Sequence, residues 1–394
     1  MDPVMTEGIK YAGSKREILP EILALAHELG VRSVCDGFSG TTRVAQAFAR
    51  GGFRIWANDI SDWSRVMGLC YLKNTRQGAY YQPLLDHLNA MPGEDGWFTE
   101  HYGGSGEFPN SDSQDGKKKL WQRHNTRMLD AIRPEIDRIC GDEVEKAVLL
   151  ASLIYAMDRV DSSVGHQASY LRSWSPRSYR KMKLELPLLH VSEENDKNRV
   201  TQLDIFSALR QAPAELYYFD PPYGSANEKM PPSRVRYASY YHLWTTLIRN
   251  DRPALVGAAN RRADVSDREA GSVFEEFRRS ESGRFLALEA IERLLQETPG
   301  PYVALSYSNQ GRATLKELLE ICGGLTDDFR LVERDHRSNV MRSMRWTNAW
   351  VPEVGGSTKE YIFVLSKAGN LGNLGKTPLI PRLDGNERHP SLRI

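Results

Sequence analysis

Apolar residues recur at Ile18, Leu19, Ile22, Leu23, Ala26 and Leu29, the spacing of one helix face, and Gly30 stops the pattern. The short apolar run 31–35 predicts a strand. The stretch Asp36-Gly37-Phe38-Ser39-Gly40-Thr41-Thr42 then turns the chain into a helix over 43–50. Gly51-Gly52 ends that helix, 53–57 predicts a second strand, and Asn58-Asp59 follows it. Strand, glycine turn, helix, strand and acidic residue form the first half of a nucleotide-binding αβ unit.

The rhythm then breaks. Between 61 and 199 there is a helical stretch at 66–73, then a Gly/Ser/Asp-rich loop or irregular hairpin at 93–116. Lys117-Lys118-Lys119 opens a polar-amphipathic run, and a mostly buried helix is expected over 143–157. We read 61–199 as an inserted module. The α/β alternation resumes over 201–209 and in a strand at 216–219. A helix follows at 240–249, a strand at 254–259, a helix at 281–296, a strand at 303–307, a helix at 314–321 and a strand at 361–365. The tail 371–394, rich in Gly, Pro and Asn, reads as loosely held.

Composition narrows this only a little. The 394 residues are 40% hydrophobic and 26% charged, as in a globular protein with a large core. The net charge of +1 means that any polyanion surface must come from local segregation of charge. Cys35, Cys70, Cys140 and Cys322 are widely spaced, as reduced thiols are, and the histidines show no metal-ligand spacing. The chain has no apolar run of membrane length, so the expected setting is cytoplasmic, away from membranes.

The chemistry concentrates at Phe219-Asp220-Pro221-Pro222-Tyr223, at the mouth of the 216–219 strand. Two prolines remove backbone donors and end the ladder there. A carboxylate, free carbonyls and an aromatic ring are left at one rigid point, suited to a planar ring bearing an amino group. An exocyclic adenine nitrogen is a poor nucleophile because its lone pair is delocalised. Asp220 and the carbonyl between Pro221 and Pro222 can accept its two hydrogens and favour a more pyramidal nitrogen. Stacking on Tyr223, worth about 1–3 kcal/mol, would offset much of the few kcal/mol needed to flip a base out.

The glycine turn lets a ligand approach the backbone, and Asp59 can accept both hydroxyls of a ribose. By spacing alone, Asp204 before Ile205 and Phe206 reads as a helix cap or surface residue ahead of a ligand contact. The segment 170–183 interleaves Arg172, Arg177, Arg180, Lys181 and Lys183 with Tyr170, Trp174 and Tyr179, and suits a phosphate backbone. Its competing reading is a solvated loop with a few core aromatics. Lys229, Arg234 and Arg236 could clamp the phosphates beside a flipped nucleotide. Arg334, His336, Arg337, Arg342 and Arg345 form a second basic run, either a DNA face or solvent-facing charge.

These residues together resemble the Dam-like, adenine-N6-specific DNA methyltransferases that use S-adenosylmethionine. Tyr11, Gly13 and Lys15 match the family's N-terminal segment, with Ser14 at its second glycine. Asp36, Phe38 and Gly40 match the methyl-donor loop, with Thr42 at its last glycine. Asn58-Asp59 and Asp204-Ile205-Phe206 are similar to the donor's ribose and adenine contacts. Asp220-Pro221-Pro222-Tyr223 matches in full, and Tyr241 to Leu243, Leu305 to Ser308 and Lys359-Glu360-Tyr361 also look familial.

The resemblance implies a Rossmann-like α/β fold: a seven-stranded sheet with its last strand antiparallel, helices on both faces and an inserted, mainly helical recognition domain. Residues 1–60 and 200–370 would be catalytic and 61–199 would read the target, in the α-type motif order. Asp220, Pro221, Pro222, Tyr223 and Lys15 would form the catalytic set, while Tyr11, Gly13, Asp36, Phe38, Gly40, Asp59, Asp204 and Ile205 would hold S-adenosylmethionine. Double-stranded DNA is the implied partner, and the resemblance admits a companion restriction endonuclease. The competing readings are methylation of RNA adenine or a protein glutamine amide, and a silent DNA-binding relative. An oxidoreductase would leave 220–223 unexplained.

Overall fold

The computed structural model describes residues 5–11, 13–104, 119–171, 173–211, 213–224, 237–265, 272–276, 278–336, 358–369 and 371. Seven strands make one sheet: β1 (Ser33–Asp36), β2 (Arg54–Asn58), β3 (Arg199–Thr201), β4 (Leu216–Phe219), β5 (Tyr302–Ser308), β6 (Phe329–His336) and β7 (Thr358–Ser366). Their spatial order is β6-β7-β5-β4-β1-β2-β3. The pairs from β5 to β3 are parallel, and β7 is antiparallel to both of its neighbours. This is the α/β sheet expected from the sequence, including its reversed last strand.

Twelve α-helices accompany the strands among the described residues: α1 (Leu19–Glu28), α2 (Arg43–Arg50), α3 (Asp62–Gly68), α4 (Gly78–Ala90), α5 (Trp97–Tyr102), α6 (Arg123–Ile139), α7 (Glu143–Arg159), α8 (Ile205–Leu209), α9 (Tyr237–Tyr240), α10 (His242–Arg249), α11 (Leu286–Glu297) and α12 (Leu315–Leu325). Strand side chains alternate between two apolar clusters, as a period of two requires. Val34, Ile55, Ala57, Leu216, Tyr218, Ala304, Ile362 and Val364 pack with α1, α2, α3, α7 and α10. Cys35, Trp56, Tyr217, Phe219, Val303, Leu305, Phe363 and Leu365 pack with α8, α11 and α12. Both faces are covered, which is why these strands are nearly continuous apolar runs.

The helices between 61 and 199 join the first of these clusters. Every residue of α7 from Ala147 to Met157 is buried, so this helix is apolar all round and lies inside the molecule. The buried Arg133 of α6 donates to the Leu247 and Ile248 carbonyls at the end of α10. The boundaries drawn at 61 and 199 are therefore not boundaries of the core.

Some local expectations need correction. The run 254–259 is not a sheet strand. Only Leu255–Val256 pairs, with Arg261–Arg262, in a separate two-stranded ladder. Gly257 and Asn260 have φ of 74° and 49°, which turns the chain back, and of this apolar run only Ala259 is buried. Within 93–116, α5 is helical because Phe98 and Tyr102 anchor it in the core, and 105–116 lie outside the described residues. The strand β6 has no counterpart among the elements expected from the sequence. The expected loose tail also lies outside the described residues except for Leu371, which is buried and donates its amide to Asp328 Oδ2 at 2.8 Å.

The topology sets where a crevice opens. From β1 the chain moves to β2 and β3 on one side, whereas β4 lies against β1 on the other. At such a reversal a crevice opens beyond the carboxyl ends of the strands. Register places Asp36, the last residue of β1, opposite Tyr218 of β4, and Gly37 donates to the Tyr218 carbonyl at 3.0 Å. The glycine turn and the Asp220 corner therefore emerge side by side.

Candidate active site

A cavity of about 680 Å³ fills that crevice. Its walls include Tyr11, Gly13, Lys15, Asp36, Phe38, Gly40, Asp59, Asp204, Ile205 and the whole corner from Asp220 to Tyr223. Segments far apart in sequence thus share one pocket.

The corner is tightly held. Asp220 Oδ1 lies 2.9 Å from the Lys15 ammonium and also accepts from the Tyr223 hydroxyl. The Tyr223 carbonyl accepts from the Arg312 amide at 2.7 Å and the Tyr307 hydroxyl at 3.1 Å. The Tyr223 ring has Tyr307 at 4.6 Å and the Lys15 ammonium at 4.9 Å from its centroid. Lys15 is buried, and its segment is pinned upstream where Lys10 pairs with Asp161 at 2.8 Å. Tyr11 packs between Trp63, Tyr237 and Tyr241 at 4.9–5.4 Å.

A second carboxylate completes this cluster. Glu360 of β7 is buried, and its Oε1 accepts from Ser306 at 2.6 Å and Tyr223 at 2.7 Å and lies 3.2 Å from Lys15. Burial raises the Asp220 carboxyl to about 6 against the pull of Lys15, with Glu360 pushing it further up. Glu360 moves the other way: its burial is outweighed by Lys15, Ser306 and Tyr223, so it stays below the ordinary range. Lys15 loses some basicity to burial, but the two carboxylates more than restore it and raise it overall.

Next to this corner, both Asp36 carboxylate oxygens are buried and have no hydrogen-bond partner among the described residues. Burial raises this carboxyl strongly, helped by Asp220 and Asp59, while the Phe38 and Ala45 amides pull weakly downward. A buried carboxyl without a partner either keeps its proton or ionises against a cation. At Gly37 the chain passes so close to the sheet that a Cβ would come within 2.7 Å of the Phe219 ring and 2.8 Å of Ile205. Asp59 Oδ2 accepts from the Gly40 amide at 2.9 Å and Oδ1 from the Ser61 amide at 2.9 Å, so it braces the loop it faces. Asp204 caps α8 by accepting from the Phe206 amide at 3.0 Å, the role its spacing favours, and its side also lines the cavity. Phe38 meets Phe274 edge to face at 5.1 Å, forming an apolar wall.

Comparison with known proteins settles the family. The family model described as D12 class N6 adenine-specific DNA methyltransferase matches residues 11–269, more than half of the chain. The chain belongs to this family. It is 25% identical over 358 residues to the modification methylase StsI of Streptococcus sanguinis, covering 85% of this chain and 50% of that protein. It is 24% identical over 369 residues to the type II methyltransferase M.NlaIII of Neisseria lactamica, covering 91% of this chain and 99% of that protein. With the modification methylase LlaI of Lactococcus lactis subsp. lactis it shares 25% identity over 385 residues, 94% of this chain and 56% of that one. The chain thus spans about half the length of StsI and LlaI and nearly all of M.NlaIII.

For a D12 class methyltransferase the group to be accommodated is S-adenosylmethionine, and the residues present fit it. The unpartnered Asp36 carboxylate suits the donor's ammonium, and the Gly37–Gly40 loop allows close backbone approach. Thr42 stands where the family has a glycine and keeps the glycine-like conformation, with φ of 60°. A β-branched residue there holds about 1–3 kcal/mol of strain. Gln46 offsets part of it by donating to the Thr42 hydroxyl at 3.0 Å.

The expected DNA-facing residues fare differently from one another. Arg177 is bound internally, its guanidinium lying 2.6 Å from Asp161 Oδ1 and donating to the Ser163 carbonyl at 2.8 Å. Arg180, Lys181 and Lys183 are exposed, while Tyr170 and Trp174 are buried core aromatics. Arg334 pairs with Glu21 at 3.3 Å. Arg172, Lys229, Arg234, Arg236, Arg337, Arg342 and Arg345 lie outside the described residues. No described helix is long and apolar enough to cross a membrane.

Sequence reasoning does not reach Glu360 and Ser306 as site residues, although both motifs around them look familial. The available signal is an acid next to the apolar run 361–365, a position where a lone charge would be costly.

Proposed function

We propose that this chain transfers a methyl group from S-adenosylmethionine to N6 of an adenine flipped out of duplex DNA at a specific sequence. One observation carries the reading: the Asp220 corner and the glycine loop bound the same cavity. When bound, the donor would supply an electrophilic sulfonium methyl: the N–C bond would form as the S–C bond breaks, the neutral thioether S-adenosylhomocysteine would leave, and the methylated nitrogen would lose its extra proton to water. Asp36, Asp59, Asp204, Tyr11 and the 37–40 loop hold the donor. Asp220 and the carbonyl between Pro221 and Pro222 take the two amino hydrogens. Lys15 and Tyr223 both contact Oδ1, so the other carboxylate oxygen is assigned to the amino group. The part of the Tyr223 ring left by Lys15 and Tyr307 meets the base. Holding nitrogen and methyl in line accounts for much of the rate.

Residues 61–199 serve target recognition, with 1–60 and 200–370 as the catalytic part. Arg180, Lys181 and Lys183 contact phosphates, joined by Arg172, Lys229, Arg234 and Arg236. The relatives named as modification methylases support a protective role beside a companion restriction endonuclease.

The test is incubation with a methyl-labelled donor and a mixture of duplex DNA, RNA and protein, followed by digestion and mapping of the label. Label in N6-methyladenine of DNA, in one sequence context, is the expected result. Label confined to RNA or to glutamine amides would overturn the reading.

A further inference from the structure

Lys15 has three N–H bonds and three acceptors around it: the Gly13 carbonyl at 3.1 Å, Asp220 Oδ1 at 2.9 Å and Glu360 Oε1 at 3.2 Å. Tyr223 has one hydroxyl hydrogen and two carboxylate oxygens within reach, Asp220 Oδ1 and Glu360 Oε1. Two acids therefore compete for the same ammonium and the same phenol. Ser306 adds a donor to Glu360 alone, at 2.6 Å. Asp220 is 20% exposed toward the cavity, while Glu360 is 5% exposed and sits behind it on β7.

We infer that Glu360 is a positioning residue for methyl transfer: by sharing Lys15 and Tyr223 with Asp220, it prevents Asp220 from closing into a one-to-one ion pair and keeps that carboxylate a strong acceptor for the target amino group. The inference rests on the function proposed above. Were Glu360 neutral, Lys15 and the Tyr223 hydrogen would both turn to Asp220 and quench its negative charge. A fully quenched carboxylate grips an amino group weakly. The direction of the Asp220 shift agrees, since Glu360 acts to raise it while Lys15 and Tyr223 lower it. Among the described residues, Asp36, Tyr11, Tyr218 and Tyr237 also interact electrostatically with Asp220.

A purely structural buried acid would affect folding and donor binding but would leave the pH dependence of chemistry in place. Glu360→Gln keeps the shape and one accepting oxygen while removing the charge. Single-turnover transfer to duplex DNA is to be followed across pH at saturating donor, alongside donor affinity and thermal unfolding. The expected result is a loss of about 10- to 100-fold in the transfer rate, with donor affinity retained. The acid limb of the profile should also move down by about half a pH unit or more. Ser306→Ala gives the opposite signature: Glu360, short of a donor, draws harder on Lys15 and Tyr223, and the limb moves up. An acid limb that stays in place in both variants overturns the inference, whatever happens to stability. A wild-type chain inert toward DNA adenine would overturn the functional reading and this inference together. An active wild type with unmoved limbs overturns this inference alone.

Discussion

Because burial lifts the Asp220 carboxyl to about 6, ionising it at neutral pH costs the folded state free energy. The sign follows from linkage. The native chain binds the proton more tightly than the unfolded chain, so the contribution is favourable below about pH 4 and is lost as pH rises through about 6. Asp220→Asn removes that cost. We expect it to raise Tm at pH 8 and to leave Tm unchanged near pH 4, as scanning calorimetry at the two pH values would show. An equal gain at both would mean the carboxyl is not perturbed. Asp220 and Tyr223 are legible in the sequence because Asp-Pro-Pro-Tyr is contiguous and its chemistry is local. Glu360, Ser306, Tyr307 and Arg312 are not, because only the pairing of β5 with β7 and the return of the chain after β5 bring them to the corner.

At the scale of elements, the donor loop is specified by its closeness to the sheet. The Gly37→Ala methyl would press on the Phe219 ring and on Ile205, both buried. Overpacking of this kind costs about 1–3 kcal/mol. The expected outcome is a lowered Tm together with donor affinity reduced at least about tenfold, read by equilibrium titration, since about 1.4 kcal/mol is a factor of ten. Unchanged affinity would place the donor elsewhere. Among the elements that the pattern predicts well, α2 turns one apolar face to a buried layer, and β4 is a continuous apolar run buried on both faces. The failures have equally local causes. The run 254–259 has strand-like composition, but positive φ at Gly257 and Asn260 curls it off the sheet. The strand β6 carries Arg330, Glu333 and Arg334 at a sheet edge, where a charged, partly exposed face masks the alternation.

Across the whole molecule, net charge near zero hides how the basic residues divide their work. Arg177 is tied to Asp161, which also holds Lys10, so Arg177→Ala should lower Tm without changing the salt dependence of DNA binding. Neutralising the exposed Arg180, Lys181 and Lys183 together should do the reverse. The slope of log affinity against log salt should shrink by roughly 0.9 for each phosphate no longer neutralised, with Tm nearly unchanged. A slope untouched by the triple change would move the DNA surface away from this segment. The mechanism as a whole hangs on Asp220 acting on the acceptor and not on the donor. Asp220→Ala, assayed by donor titration and by single-turnover transfer of labelled methyl to duplex DNA, separates the two. Donor affinity within about threefold of wild type, with transfer reduced about a thousandfold or more, is the predicted result. Undiminished transfer by the alanine variant would contradict it.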